Sequence, residues 1–417
     1  MRIRTTGVVT ALALALALAA AGCGGSDEPT TSSSADAATG GKLVIWADDK
    51  RTAALKPFAD KFGQENGVTV EVQAVSKDLQ TNFVTASQQG SGPDVVVGAH
   101  DWIGNLVQNG AIEPVQLSAA QTSAFNETAV KATTFNGQLY GVPYAMENLA
   151  LIRNTELAPE APETIEDLVA TAKKLKTDKK VSELLCLQVG QVGDAYHLYP
   201  LYTSAGGYLF GTNDAGDYDP TDLGVGKHES IRAFEKIKGL GEKGDGALKR
   251  SIIPENSIAT FTGKKCAFLV SGPWAVTDAK KANIAYDISP IPGFAGGQEA
   301  KPFVGVQAFY VAAKGANKAL AQEFVVNYTT TPDLAVALYN AEPRPPALTA
   351  ALNQVAGSDP DLAKFQEAGK NGQVLPAIPE MAAIWDPFGK AEAAVIGGAD
   401  AKTTVTAAGK TIEGQIR

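Results

Sequence analysis

Apolar positions open the ordered part of the chain as two kinds of pattern. Leu43 to Trp46 and Asp94 to Gly98 are short runs bounded by polar or turn residues, and Val68, Val70 and Val72 alternate with polar neighbours. Between them Leu55, Phe58 and Phe62, then Leu79 and Phe83, recur at helical spacing. Period two predicts strands and a spacing of three to four predicts helices, so residues 42–98 read as β-α-β-α-β. Helical connections make the strand pairing parallel, with right-handed crossovers. The third strand ends in His100, Asp101 and Trp102. Ligands of open α/β sheets lie beyond strand carboxyl ends, so an acid and an indole there suggest a binding wall.

Further along, Leu139 to Asn148 is an extended run with a proline, followed directly by a fresh apolar run, Leu149 to Ile152. It reads as a crossing between lobes. Thr164 to Lys179 and Ser230 to Lys243 are amphipathic helices, and Lys301 to Val306 reads as the chain returning to the first lobe. Pro343-Arg344-Pro345-Pro346 marks a third passage between lobes, or a loop near one. At 417 residues the chain is too long for one ordinary core. The expected fold is α/β with two lobes, each a mostly parallel sheet flanked by helices, and a ligand cleft at the hinge. Residues 41–146 with 304–354 form the first lobe, and 147–303 with 355–417 the second.

The formal charge of −9, without a cluster of Lys and Arg, argues against a nucleic-acid partner. Arg2 and Arg4 precede an Ala/Leu run from Ala11 to Ala21 that ends at Gly22-Cys23. This has the layout of a secretory signal and is too short for a membrane span. Residues 26–40, rich in Ser, Thr, Ala, Asp and Gly, read as a flexible tether. The two remaining cysteines, Cys186 and Cys266, invite a disulfide in an oxidising compartment, the alternative being two small buried apolar residues.

Several of these segments together resemble the maltose/maltodextrin-binding proteins, extracytoplasmic receptors of ABC sugar importers. Those that carry the likeness are Gly92 to Gly104, Asp48-Asp49-Lys50, Tyr140 to Asn148, Gly193 to Pro200 with Gly206-Gly207-Tyr208, Gly272-Pro273-Trp274, Lys301 to Val306 and Ile378 to Trp385. Ala20-Ala21-Gly22-Cys23 is similar to a lipobox, with Ala20 where leucine is usual, which implies that Cys23 is lipidated and holds the protein at the outer face of the cell membrane. The resemblance implies sugar contacts from Asp49, Lys50, Asp101, Trp102, Glu147, Asp194, Tyr196, Trp274 and Trp385. It also implies transporter permease subunits as partners, a monomer and no cofactor. The chain departs from the family at Gly98 and Trp102, where the family has tryptophan and arginine. It departs again at His197, in place of phenylalanine, and at Gly389, in place of arginine.

The residue types suit that chemistry. A pyranose has an apolar face that an indole covers and an edge of hydroxyls that carboxylates, amides and cations hold. Trp46 is mid-strand and belongs to the core. His197 fits a satisfied structural imidazole as well as a ligand contact. A glycosidase using two of Asp49, Asp101, Glu147 and Asp194 is the rival class, and a structural or adhesive lipoprotein a third. No nucleophile elbow, Walker A loop or dinucleotide fingerprint occurs, and His100, His197 and His228 are too scattered to suggest a metal site.

Overall fold

The computed structural model describes residues 41–213 and 217–416. The leader, Cys23 and the tether to residue 40 lie outside the described residues. The chain starts as β1 (Lys42–Ala47), α1 (Asp49–Asn66), β2 (Thr69–Ala74), α2 (Leu79–Gln88) and β3 (Val95–Ala99). β1 pairs in parallel with both β2 and β3, Ile45 lying opposite Val72 on one side and Val95 on the other. Leu43, Ile45 and Ala47 of β1 are fully buried, and Leu55, Ala59 and Phe62 of α1 close over that face. α1 begins where it does because the Asp48 carboxylate accepts the Arg51 N–H at 2.9 Å. It ends at Gly67, whose φ of 64° is the left-handed cap that glycine adopts without penalty.

After β3 comes a 3₁₀ turn, His100–Trp102, and then α3 (Ile103–Gln108). The crossing expected after Leu139 is β4 (Gly141–Asn148) running through Leu149 into β5 (Ala150–Asn154). α4 (Ala195–Ser204), β6 (Phe268–Ser271) and β7 (Tyr286–Ser289) follow. β8 (Phe303–Ala312) then brings the chain back, and β9 (Gln373–Val374) and α5 (Trp385–Ile396) come near its end. In the first sheet β8 runs antiparallel to both β3 and β4. In the second, β5 lies between β6 and β7 and is antiparallel to each.

The expectation of mostly parallel sheets therefore needs refining. β1, β2 and β3, linked by helices, share a direction, whereas β5 runs against β6 and β7, and β8 runs against β3 and β4 while pairing in parallel with β9.

Two main apolar cores result. One is built from residues between Leu43 and Ala145 and between Val306 and Ala351. The other draws on residues between Leu149 and Phe303 and between Leu375 and Ile412. Beside the second core Cys186 and Cys266, both fully buried, are joined by a disulfide with a Cα–Cα distance of 6.2 Å. No helix among the described residues is long and apolar enough to cross a membrane.

His100 ties these parts together. It is fully buried, its Nδ1 accepts the Val306 N–H at 3.0 Å, and its Nε2 lies 2.9 Å from the Leu375 carbonyl. Only the neutral ring with its proton on Nε2 satisfies both contacts. Burial accordingly pushes its pKa down to about 4.

Candidate functional site

The 3₁₀ turn after β3 sends its three side chains to different places. His100 turns inward, as above. Asp101 is half-buried, and burial, helped by the negative charge of Glu147, raises its pKa to about 7. It lines a cavity of about 420 Å³ together with Gln80 of α2, Asn105 of α3, Asn109 just beyond it, and Trp385 at the start of α5. Trp102 lays its indole across Gly98, so that a Cβ at Gly98 would collide with the ring. The indole thus fills the space above the position where the family resemblance expects a tryptophan. Trp102 also packs against the cluster that contains Phe83, Val96 and Ile103.

A second group of side chains gathers around Glu147 on β4. Its Oε1 accepts from Gln307 Nε2 at 3.0 Å, and its Oε2 accepts from Arg344 Nε. Arg344 also pairs with Glu342, and its guanidinium lies over the Trp274 ring, 5.3 Å from the centroid. Arg51 donates to the Tyr144 hydroxyl and pairs with Asp48, and Lys50 reaches Glu342 at 3.1 Å. Burial alone would raise the Glu147 pKa, but Arg344 and Arg51 hold it below the ordinary glutamate range. Three cations, Lys50, Arg51 and Arg344, thus face three carboxylates, Asp48, Glu147 and Glu342.

The loop that carries Arg344 is fixed along β4, because Met146 N–H donates to the Pro345 carbonyl at 2.8 Å and Ala347 N–H to that of Tyr144 at 2.9 Å. Asp49, by contrast, is exposed and accepts the Ser76 hydroxyl. Lys50 keeps 60% of its side chain in solvent.

Across from these lies the start of α4. Asp194 caps it, accepting the His197 N–H at 2.9 Å and lying 3.0 Å from His197 Nδ1. Burial works to raise the Asp194 pKa, but His197 and Gln188 outweigh it and the value is lowered. The Tyr196 ring stacks at 6.1 Å on Phe303, and Trp385 meets the same Phe303 edge-on at 6.5 Å. Burial holds the Tyr196 hydroxyl protonated, and Glu147, Arg344 and Asp101 all act on it electrostatically. That hydroxyl therefore sits where groups from both cores converge. Trp274 covers Gly272 as Trp102 covers Gly98.

The structure thus brings Asp101 and Trp385 to one cavity, and Glu147 and Trp274 to one cation. Asp194 and Tyr196 are placed beside them, and Asp49 and Lys50 at the rim. Sequence reasoning missed Arg51, Glu342, Arg344 and the amides of Gln80, Asn105 and Asn109. The Pro343–Pro346 cluster drew notice for its backbone alone, and no local spacing ties Arg344 to a glutamate 197 residues earlier. The four-residue spacing of Asn105 and Asn109 on one helical face was the available signal for the amides.

Residues 58–370 match the family of bacterial extracellular solute-binding proteins. The chain is 29% identical over 400 residues to a galactooligosaccharide-binding protein of Bacillus subtilis (strain 168), covering 93% of each chain. It is also 29% identical over 402 residues to a maltooligosaccharide ABC transporter solute-binding lipoprotein of Streptococcus pneumoniae (strain ATCC BAA-255 / R6), covering 94% of this chain and 92% of the relative. With a maltodextrin-binding protein of Bacillus subtilis (strain 168) it shares 28% identity over 372 residues, 85% of each chain.

Proposed function

The chain belongs to the family of bacterial extracellular solute-binding proteins, and from that premise we propose that it captures a neutral oligosaccharide of the maltodextrin type and delivers it to an ABC importer. It is a receptor and not an enzyme. The observation that carries the ligand class is the cavity of about 420 Å³ lined by Asp101, Trp385 and the amides of Gln80, Asn105 and Asn109. An indole and several neutral donors and acceptors in one lining suit the apolar face and hydroxyl edge of a pyranose. The balance of three cations against three carboxylates beside it favours an uncharged sugar over an acidic one. The maltooligosaccharide and maltodextrin names of two relatives support the α-glucoside reading. The galactooligosaccharide-binding relative supports a second reading, a β-galactoside of similar length.

In this reading residues 41–146 with 304–354 and 147–303 with 355–417 are two lobes that close on the sugar by hinge rotation about β4, β5 and β8, the closed form being what the permease subunits recognise. Ligand shifts the open–closed balance only by its different affinity for the two forms, so groups that meet sugar from both lobes matter most. Asp101, Glu147, Tyr196, Trp274 and Trp385 are its contacts, with Asp49, Lys50, Trp102 and Asp194 around them. Lipidation at Cys23 keeps the monomeric receptor beside the membrane, and the word lipoprotein in a relative's name supports that anchor.

Trp385→Ala tests the cavity directly. It is expected to weaken oligosaccharide binding by about 1–3 kcal/mol through lost stacking, with the fold intact by circular dichroism. Unaltered affinity in calorimetric titration would remove Trp385 from the site.

A further inference from the structure

His197 is 7% exposed, and its Nε2 is buried without a partner among the described residues. The other ring nitrogen is held. Nδ1 faces Asp194 Oδ1 at 3.0 Å, and the same oxygen takes the His197 backbone N–H at 2.9 Å. The second Asp194 oxygen accepts Gln188 Nε2, so the carboxylate is held at both oxygens, while the backbone N–H of Asp194 donates to Glu392 Oε2 at 2.9 Å. An ionised carboxylate only accepts, so the neutral imidazole must carry its proton on Nδ1. Nε2 is then a bare lone pair. A buried acceptor with nothing donating to it costs free energy, and such an atom calls for a donor from outside the protein.

The surroundings say where the donor comes from. The imidazole stands edge-on to Trp274 at 6.3 Å and lies 5.5 Å from the Tyr196 ring. The Tyr196 hydroxyl and Glu392 Oε1 are also buried and unpartnered among the described residues. His197 thus stands against the indole that also meets Arg344, with Tyr196 on its other side.

We infer that His197 Nε2 accepts a hydrogen bond from one hydroxyl of the bound sugar, and that Asp194 is a positioning residue that makes Nε2 the acceptor. This rests on the oligosaccharide reading above. It reassigns Asp194 from sugar contact to support, and it makes His197 a specificity-determining residue that a phenylalanine at that position would not provide.

The test uses the mature protein and maltose with its set of monodeoxyfluoro analogues, in which fluorine replaces one hydroxyl at a time and cannot donate. One analogue is expected to bind the wild type about tenfold more weakly than maltose. In His197→Phe, checked for an unchanged melting curve, that analogue and maltose are expected to bind within about twofold of each other. Nitrogen-15 NMR of the histidine ring gives the readout for Asp194. The wild type and Asp194→Asn should hold the Nδ1–H tautomer, and Asp194→Ala should show a mixture. If the penalty persists unchanged in His197→Phe, or the wild type shows the Nε2–H tautomer, the inference is overturned while the receptor reading stands. If the wild type binds no neutral oligosaccharide at all, both fall.

Discussion

Arg344→Ala is expected to lose about 3–5 kcal/mol of unfolding free energy, because it takes from buried Glu147 its one ion-pair partner among the described residues, while Glu342 keeps Lys50 and Arg51. Glu147 and Glu342 each keep only 11% of their side chains in solvent, and Arg344 pairs with both. Arg344→Met, which keeps apolar bulk over Trp274 without the charge, should lose nearly as much and so separate charge from packing. Urea denaturation measures both.

The pH dependence supplies a second signature. In the wild type the Glu147 pKa is lowered, so its contribution is present above the ordinary glutamate range and is lost as pH falls through the folded value. Without Arg344, burial is opposed only by Arg51 and the Gln307 hydrogen bond, and a proton on Glu147 relieves part of the cost. The gap between variant and wild type should therefore shrink on acidification. A loss under about 1 kcal/mol at neutral pH would mean that Arg51 and solvent suffice and that the cluster is not held by Arg344.

Breaking the Cys186–Cys266 bond should have an effect of similar size. The bond joins residues 80 apart in sequence, and the chain-entropy estimate for closing a loop of that length is about 4.5 kcal/mol. Cys186→Ala with Cys266→Ala, compared with the oxidised wild type in urea, should show a loss near that value. Both sulfurs are fully buried, so the methyl replacements leave small apolar cavities and set a floor to the loss. Thiol titration of the denatured protein beginning at Gly24, without reductant, should find no free thiol. Two free thiols would place the cysteines as separate apolar residues.

How far the sequence speaks depends on the range of the interaction. β1, α1, β2, α2 and β3 were legible because each follows from spacing within a few residues, and the Asp48 cap and Gly67 end are equally local. The passage through β4 into β5 was legible for the same reason. What was not legible lies between segments far apart. Arg344 meets Glu147 across 197 positions, and only the fold sets Arg51 rather than Lys50 inward, because α1 begins at Asp49 and its buried face then includes position 51. His100 and Asp101 are neighbours in one turn, yet the first is enclosed by Val306 and Leu375 and the second opens to the cavity. Asp194 and His197 were visible as residues, while the tautomer that their contact fixes was not.

The central claim is that the chain binds neutral α-glucosides. Isothermal titration of the mature protein with maltose, maltotriose and maltotetraose, and with β-galactooligosaccharides of the same lengths, trehalose and an acidic oligosaccharide, tests it most directly. The account predicts saturable binding of the maltooligosaccharides, tighter than any β-galactoside of equal length, with no reducing sugar released and no heat from the acidic ligand. Tighter binding of the β-galactooligosaccharides, or of the acidic one, would contradict it.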